Sequence, residues 1–264
     1  MLVMINLDQS MKVTILGVQI DSVTTEKALK AVADFLTEPR GHAVFTPNPE
    51  MLVLARHRPL FRSALNSADL AIPDGVGLLW AARLLGKKLA ERVTGTDMVD
   101  RVCELATQRG VAVFLLGGGR GVAERAASEL VKKYPKLKVV GAATGGDVVK
   151  DEQGVPVLTS SVQEMLLAAK PTILFVAFGH GKQEEWIQAH LHEFPFIRVA
   201  MGIGGAFDFI AGDVKRAPGW LRKVRLEWLW RLVLQPRRIK RILTAVIVFP
   251  CLVIGERLGI IRTE

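Results

Sequence analysis

Cysteine is nearly absent, with Cys103 and Cys251 the only two among 264 residues. Cys103 falls on a helical pattern and Cys251 in an apolar tail, so the pair suggests neither a disulfide framework nor a zinc site. That usage suits a reducing cytoplasm. The five histidines show no ligand spacing such as HExxH. There is no paired-aspartate metal motif of the kind many nucleotide-sugar enzymes use, and no GxSxG nucleophile elbow. A full dinucleotide fingerprint is also missing: Gly117 and Gly119 fit it, but Val122 stands at its last glycine. No acidic residue closes a clear strand further on, which argues against NAD. Residues 1–11 lack the basic start and longer apolar stretch of a secretion signal, and read as an N-terminal extension. No internal repeat or low-complexity segment is present.

What the chain does have is a concentrated charge. Ten basic residues lie between Lys215 and Arg241 against one acid, Glu227, and this excess equals the whole formal net charge of +9. Trp220, Trp228 and Trp230, three of the five tryptophans, interleave with them. An apolar run, residues 242–255, follows directly. It is shorter than the ~20 residues needed to cross a bilayer, and Pro250 in its middle disfavours a spanning helix. Basic charge, indole rings and adjoining apolar surface suit an anionic membrane surface. A solvated basic face with a terminal core helix, or a nucleic-acid site, are the other readings of this tail.

From residue 12 to about 210, short apolar runs alternate with amphipathic ones. Strands are expected at 13–16, 43–46, 70–73, 111–116, 138–141, 172–178 and 198–203. Helices are expected at 25–37, 96–109, 122–133, 160–169 and 183–192. Such alternation predicts an α/β fold whose parallel sheet is covered on both faces. The expected division is 1–11, a Rossmann-like core at 12–213, and a basic, apolar, helical appendage at 214–264. Ligands of such sheets bind beyond the carboxyl ends of the strands, so the residues there carry the functional reading.

After the second strand, Thr46-Pro47-Asn48-Pro49-Glu50 is either a stiff polar turn that grips a sugar or a helix entry capped by Asn48. Ile72-Pro73-Asp74-Gly75 is an ordinary turn signature, or it presents Asp74 as a general base. Arg92 precedes Thr94 and Thr96, either of which caps the next helix with Asp97 in its first turn; Arg92 binds an anion or is solvated. Gly117, Gly118 and Gly119 join a strand to a helix, allowing a ligand close to the backbone and a phosphate near a helix start. Phe178-Gly179-His180-Gly181-Lys182-Gln183 is a second glycine-rich strand end, with Gln183 placed to reach a ligand or simply to open a helix. Gly202 to Phe209 is a third, with Asp208 among apolar residues.

Taken together, these motifs resemble the WecG/TagA/CpsF glycosyltransferases (glycosyltransferase family 26) over residues 12 to about 258. The resemblance rests on Thr46-Pro-Asn-Pro-Glu, Ile72-Pro-Asp-Gly, Arg92-Val-Thr-Gly-Thr-Asp, Gly179-His-Gly-Lys-Gln-Glu-Glu-Trp, Gly205-Ala-Phe-Asp-Phe and a C-terminal block. In that block stand Arg216-Ala-Pro-Gly-Trp, Leu226-Glu-Trp-Leu-Trp-Arg-Leu and Pro236-Arg-Arg. Two departures are visible: His180-Gly181 stands where the family usually has Pro, and Arg225 where it usually has Gly.

The resemblance implies an inverting glycosyltransferase that works without a bound metal or other cofactor. It would move an N-acetylmannosamine-type sugar, or a related hexose, from a UDP donor to an undecaprenyl-diphosphate-linked sugar in bacterial surface-polysaccharide synthesis. By the same resemblance Asp74 matches a general base. Thr46, Asn48, Arg92 and Gln183 match residues lining the sugar site. Arg231, Arg238 and Arg241 match appendage arginines over the diphosphate. Gly117, Gly118 and Asp208 join the candidate substrate-binding set from their strand-end positions. The expected location is cytoplasmic, peripheral on the inner face of the plasma membrane, with an anionic membrane surface as partner, no nucleic acid, and a homo-oligomer open. The competing readings are a non-enzymatic, membrane-associated ligand-sensing assembly protein and a basic nucleic-acid binder.

Overall fold

The computed structural model describes residues 12–144, 149–152, 154–219, 221 and 227–261. The N-terminal extension, and Trp220, Arg222, Lys223 and Arg225 of the basic run, lie outside the described residues.

The fold begins with a two-stranded antiparallel hairpin, β1 (Lys12–Ile15) and β2 (Val18–Asp21). This corrects one expectation, because the strand read at 13–16 is not part of the main sheet. Its turn, Leu16-Gly17, has φ of +50° and +78°, the twist that suits a two-residue hairpin connection. Helix α1 (Thr25–Phe35) follows, capped by Thr24, whose side chain accepts from the Lys27 N–H.

The main sheet has six parallel strands. They are β3 (His42–Phe45), β4 (Leu70–Ala71), β5 (Ala112–Gly117), β6 (Lys138–Ala143), β9 (Ile173–Ala177) and β10 (Val199–Gly202), arranged in the order β4-β3-β10-β9-β5-β6. Short strands β7 (Val149–Lys150) and β8 (Pro156–Val157) pair separately. From β3 the chain steps outward to β4, then crosses to the far side for β5. Such a reversal of direction opens a crevice at the strand ends.

Side chains alternate across the strands, so the sheet has a core on each face. On one face Val44, Leu115, Phe175 and Met201 pack with α1, α5 (Gly95–Arg109), α6 (Val122–Lys133) and α9 (Ala206–Ile210). On the other, Phe45, Phe114, Leu174 and Ala200 pack with the hairpin and with α2 (Pro49–Arg56), α3 (Pro59–Asn66), α4 (Val76–Leu84), α7 (Ser160–Ala169) and α8 (Lys182–His190). Trp186 of α8 is buried in that second core.

The tail is helical. It runs through α10 (Glu227–Leu234), a 3₁₀ turn at Pro236–Arg238, α11 (Ile239–Leu243), a π turn at Thr244–Val248 and α12 (Phe249–Arg257). Pro250 lacks an N–H and its ring crowds the carbonyl four residues back. The helix continues past it, and the widened π turn just before it gives the ring room. Phe249 and Val253 are fully buried in the second core, while Val246, Ile247, Val248 and Ile254 on the rest of the helix are exposed. The Glu256 carboxylate accepts from the Leu16 N–H at 3.1 Å, fastening the tail to the hairpin. Among the described residues, no helix is long and apolar enough to cross a membrane.

Gly117 shows how tightly the strand ends are packed. A Cβ there would stand 2.6 Å from the Ala177 carbonyl carbon and oxygen, at φ +109°. Gly117→Ala is expected to lower unfolding free energy by roughly 2–5 kcal/mol through strain and overpacking. Gly86→Ala, at φ +73° in open space, is expected to lower it by about 1 kcal/mol. Urea denaturation of the two variants checks the contrast.

Candidate active site

The carboxyl ends of β3, β5, β9 and β10 open into a polar cleft of about 430 Å³. Gly117 and Gly118 form part of its floor. The Gly118 N–H donates to the Ala177 carbonyl at 2.9 Å. These glycines therefore offer close approach to the backbone rather than that donor. Thr46 donates to the Gly202 carbonyl at 3.3 Å, joining the ends of β3 and β10. Asn48 lines the cleft and also caps α2, its side-chain oxygen accepting from the Met51 N–H at 3.1 Å with Pro49 opening the helix. Thr94 is the cap of α5, accepting from the Asp97 N–H. The helix-entry reading of the Thr46–Glu50 turn therefore holds, and Thr46 and Asn48 of the same turn also face the cleft.

Asp74 follows β4 and accepts weakly from the Gly95 N–H at 3.4 Å. About 30% of its side chain is exposed, and that surface faces the cleft. Enclosure by protein raises its pKa, and Arg92 and the Gly95 N–H oppose the rise. Asp208, at the start of α9, is raised in the same way by burial, against the pull of Arg231 and Arg238.

The tail brings Arg231, Arg238 and Arg241 to the same cleft. The Arg231 guanidinium lies over the Phe209 ring, 4.8 Å from its centroid. Its Nε and Nη2 are buried with no hydrogen-bond partner. Burial first, then Arg238 and Arg241, push its pKa down to about 10. A desolvated cation with free donors is costly unless an anion answers it. Arg238 is lowered by burial and by Arg241.

Arg92 is placed differently from the other candidates. It lines a second, adjoining groove of about 700 Å³ rather than the polar cleft. Its Nη2 pairs with Glu227 of α10, and its Nε lies 3.9 Å from Asp74. Glu227 also stands 4.0 Å from Arg216, which pairs with Asp97 at 2.7 Å. The groove shares Asp74 and the three tail arginines with the cleft, and its outer wall is apolar, with Trp80, Leu79, Ile242, Val246 and Pro250. Glu227 was visible in the sequence as the lone acid in a basic run and within the Leu226-Glu-Trp motif. Nothing there tied it to Arg92.

Gln183 is buried beside the cleft. Its oxygen accepts from the Gly204 N–H at 3.0 Å, and its nitrogen donates to Glu184 at 2.6 Å. It braces the β10–α9 turn against α8 as well as lining the cleft. Glu184, fully buried, also accepts from the Gly181 N–H at 2.7 Å. Among the described residues, no three His, Cys, Asp or Glu side chains form a group that could hold a metal ion. The arrangement brings two carboxylates of raised pKa, Asp74 and Asp208, into one cleft with three arginines. This suits deprotonating a hydroxyl on one side and receiving a departing anion on the other.

The model of the Glycosyl transferase WecG/TagA/CpsF family matches residues 13–262. The chain is similar to proteins described as N-acetylglucosaminyldiphosphoundecaprenol N-acetyl-beta-D-mannosaminyltransferase. One from Bacillus spizizenii is 32% identical over 225 residues, 85% of this chain and 84% of the relative. One from Bacillus subtilis is 32% identical over 210 residues, 80% of this chain and 78% of the relative. One from Staphylococcus aureus is 32% identical over 233 residues, 88% of each.

Burial pushes the Glu184 carboxyl up to about 7, outweighing the hydrogen bonds from Gln183 and Gly181. The folded-state value lies above the ordinary 4.5, so its stabilising contribution is complete below that value and is lost as pH rises through about 7. Relative to Glu184→Gln, the wild type is expected to lose on the order of 3 kcal/mol of stability between about pH 5 and about pH 8. Denaturant titrations of both proteins across that range check it, and parallel profiles would contradict it.

Proposed function

The chain belongs to the glycosyl transferase WecG/TagA/CpsF family, and on that premise we propose which transfer this glycosyltransferase performs. It moves an N-acetylmannosamine-type sugar, or a related hexose, from a UDP donor to an undecaprenyl-diphosphate-linked sugar, inverting the anomeric centre without a metal. One observation carries the reading: Asp74 and Arg231, Arg238 and Arg241 converge on one polar cleft with a glycine floor at the ends of the parallel strands.

Asp74 takes the proton of the acceptor hydroxyl as its oxygen bonds to the anomeric carbon. The bond from that carbon to the UDP oxygen breaks on the opposite face, and the electron pair leaves with the diphosphate. The arginines meet that charge. Arg231 is the best suited, because its free, buried donors are already oriented and need no reorganisation. Thr46, Asn48, Gln183 and Asp208 surround the sugar, and Gly117 and Gly118 let the donor lie against the backbone. The acceptor enters from the larger groove. Its sugar points at Asp74 and its prenyl chain follows the apolar wall by Trp80 and Val246. The exposed apolar face of the tail helix, beside Lys240 and Arg237, lies on the anionic inner face of the plasma membrane. The relatives' names, with an N-acetylmannosamine transfer to an undecaprenol-linked acceptor, support the choice of sugar and acceptor.

UDP release is measured with detergent-purified protein, a panel of UDP-sugars and a short-chain prenyl-diphosphate-linked amino sugar. Release requiring one donor and the acceptor together is expected. Folded protein that binds no UDP would contradict the reading.

Asp74→Asn is expected to lower kcat by about 10²–10⁴-fold with folding retained. Near-normal turnover would remove Asp74 from the role of base. Glu227→Gln frees Arg92 for Asp74 and removes a like charge from beside it. Both changes lower the pKa of the base. Because the base works deprotonated, the acidic limb of the kcat/KM profile should move to lower pH; an unmoved limb, or one at higher pH, would contradict this.

A further inference from the structure

His180 sits in the turn between β9 and α8, flanked by Gly179 at φ +82° and Gly181 at φ +91°. It lines the polar cleft. Its Nδ1 stands 3.0 Å from Arg241 Nη2, and its Nε2 stands 3.4 Å from Glu50 Oε1. Arg241 Nε also reaches both Glu50 oxygens, at 2.7 and 3.0 Å. Three segments distant in the chain meet here: the start of α2, the turn before α8, and the tail.

The donor and acceptor assignment follows from the chemistry. A guanidinium has only donors, so Nδ1 must accept from Arg241. The proton of the neutral ring then sits on Nε2, facing Glu50. A charged ring would have no acceptor for Arg241 and would add a cation to a crowded site. We propose that His180 is a positioning residue that, as the neutral imidazole, holds the Arg241 guanidinium in the cleft and latches the tail over the core, releasing it on protonation. This rests on the reading that Arg241 faces the donor diphosphate.

Glu50 alone fixes one edge of the guanidinium. The second contact, from Nδ1, fixes its plane. The charged groups facing the imidazole are Glu50 from α2, Arg58 from the turn after α2, and Arg238 and Arg241 from the tail. Burial and the three arginines push the imidazole below its ordinary 6.5, and Glu50 pulls it back up. The ring is therefore neutral at pH 7. With the folded-state value depressed, the latch is intact above the ordinary 6.5 and is lost as pH falls through the lower folded value.

The test uses the full chain in detergent and follows hydrogen exchange of peptides covering residues 239–257, referenced to peptides of β9 and β10 in the same sample. It needs no sugar substrate, so its result is independent of whether the donor and acceptor have been named correctly. His180→Asn keeps an accepting oxygen near Nδ1, and His180→Lys installs a fixed cation. At neutral pH, His180→Lys is expected to speed tail exchange by about tenfold or more, with His180→Asn within about twofold of wild type. Acidifying the wild type should bring its tail, relative to the core strands, to the His180→Lys level. In turnover assays kcat should follow the same ranking. Unchanged tail exchange in His180→Lys, or an acid-insensitive wild-type tail, would overturn the proposal. Equal loosening by Asn and Lys would also overturn it, making His180 a packing residue only.

Discussion

Three guanidinium groups facing one cleft repel one another, and the rest of the structure is arranged around that repulsion. Arg238 and Arg241 raise the cost of ionising Arg231, Arg241 does the same to Arg238, and burial adds to both. Asp208, Glu50 and Asp74 offset part of the cost without neutralising Arg231, whose inner donors stay unpaired. Such a site is poised for a polyanion. On the proposed reading, the repulsion among these cations is offset by the donor diphosphate, and the attraction grows as charge builds on the leaving group.

Arg241, one of the three, also fastens the tail to the core through Glu50, and other contacts join it. Glu227 pairs with Arg92, Arg241 pairs with Glu50, and Glu256 binds the turn of the hairpin. Phe249 and Val253 insert into the core itself. Only part of the apolar run is left facing outward, and that part stands beside the groove whose wall is apolar. A lipid-linked acceptor approaching along this face would meet Asp74 and the arginines together.

Much of the sheet was legible because β5 and β9 are continuous apolar runs, as doubly covered parallel strands require. Helices α5 and α6 were legible from their periodicity. The hairpin was not, because β1 carries the same short apolar signal as a buried strand, and its partner shows only three residues of alternation. Helix α2 was legible only at its start, as the entry capped by Asn48 and opened by Pro49, while α3 and α4 were missed for a different reason: each is only eight or nine residues long, and α4 is apolar enough to blur any face. For the site, position at a strand end identified Thr46, Asn48, Asp74 and Gln183, and the structure gathers them in one cleft. Arg92 stood out before α5, with an anion or solvent as its alternatives, but nothing marked it as the partner of Glu227. The pairing of Glu50 with Arg241 spans 191 positions. No local pattern encodes a contact of that range; it exists only once the tail has folded back.

The central claim is that the tail supplies charge to the reaction rather than merely an anchor. The direct measurement is Arg231→Ala, assayed for turnover per liposome-bound enzyme and for liposome binding in the same preparation. The account predicts turnover lowered by about a hundredfold or more, with binding changed by less than about tenfold, since one surface charge is worth about 1 kcal/mol of attachment. Turnover per bound enzyme equal to wild type, with binding collapsed, would contradict it.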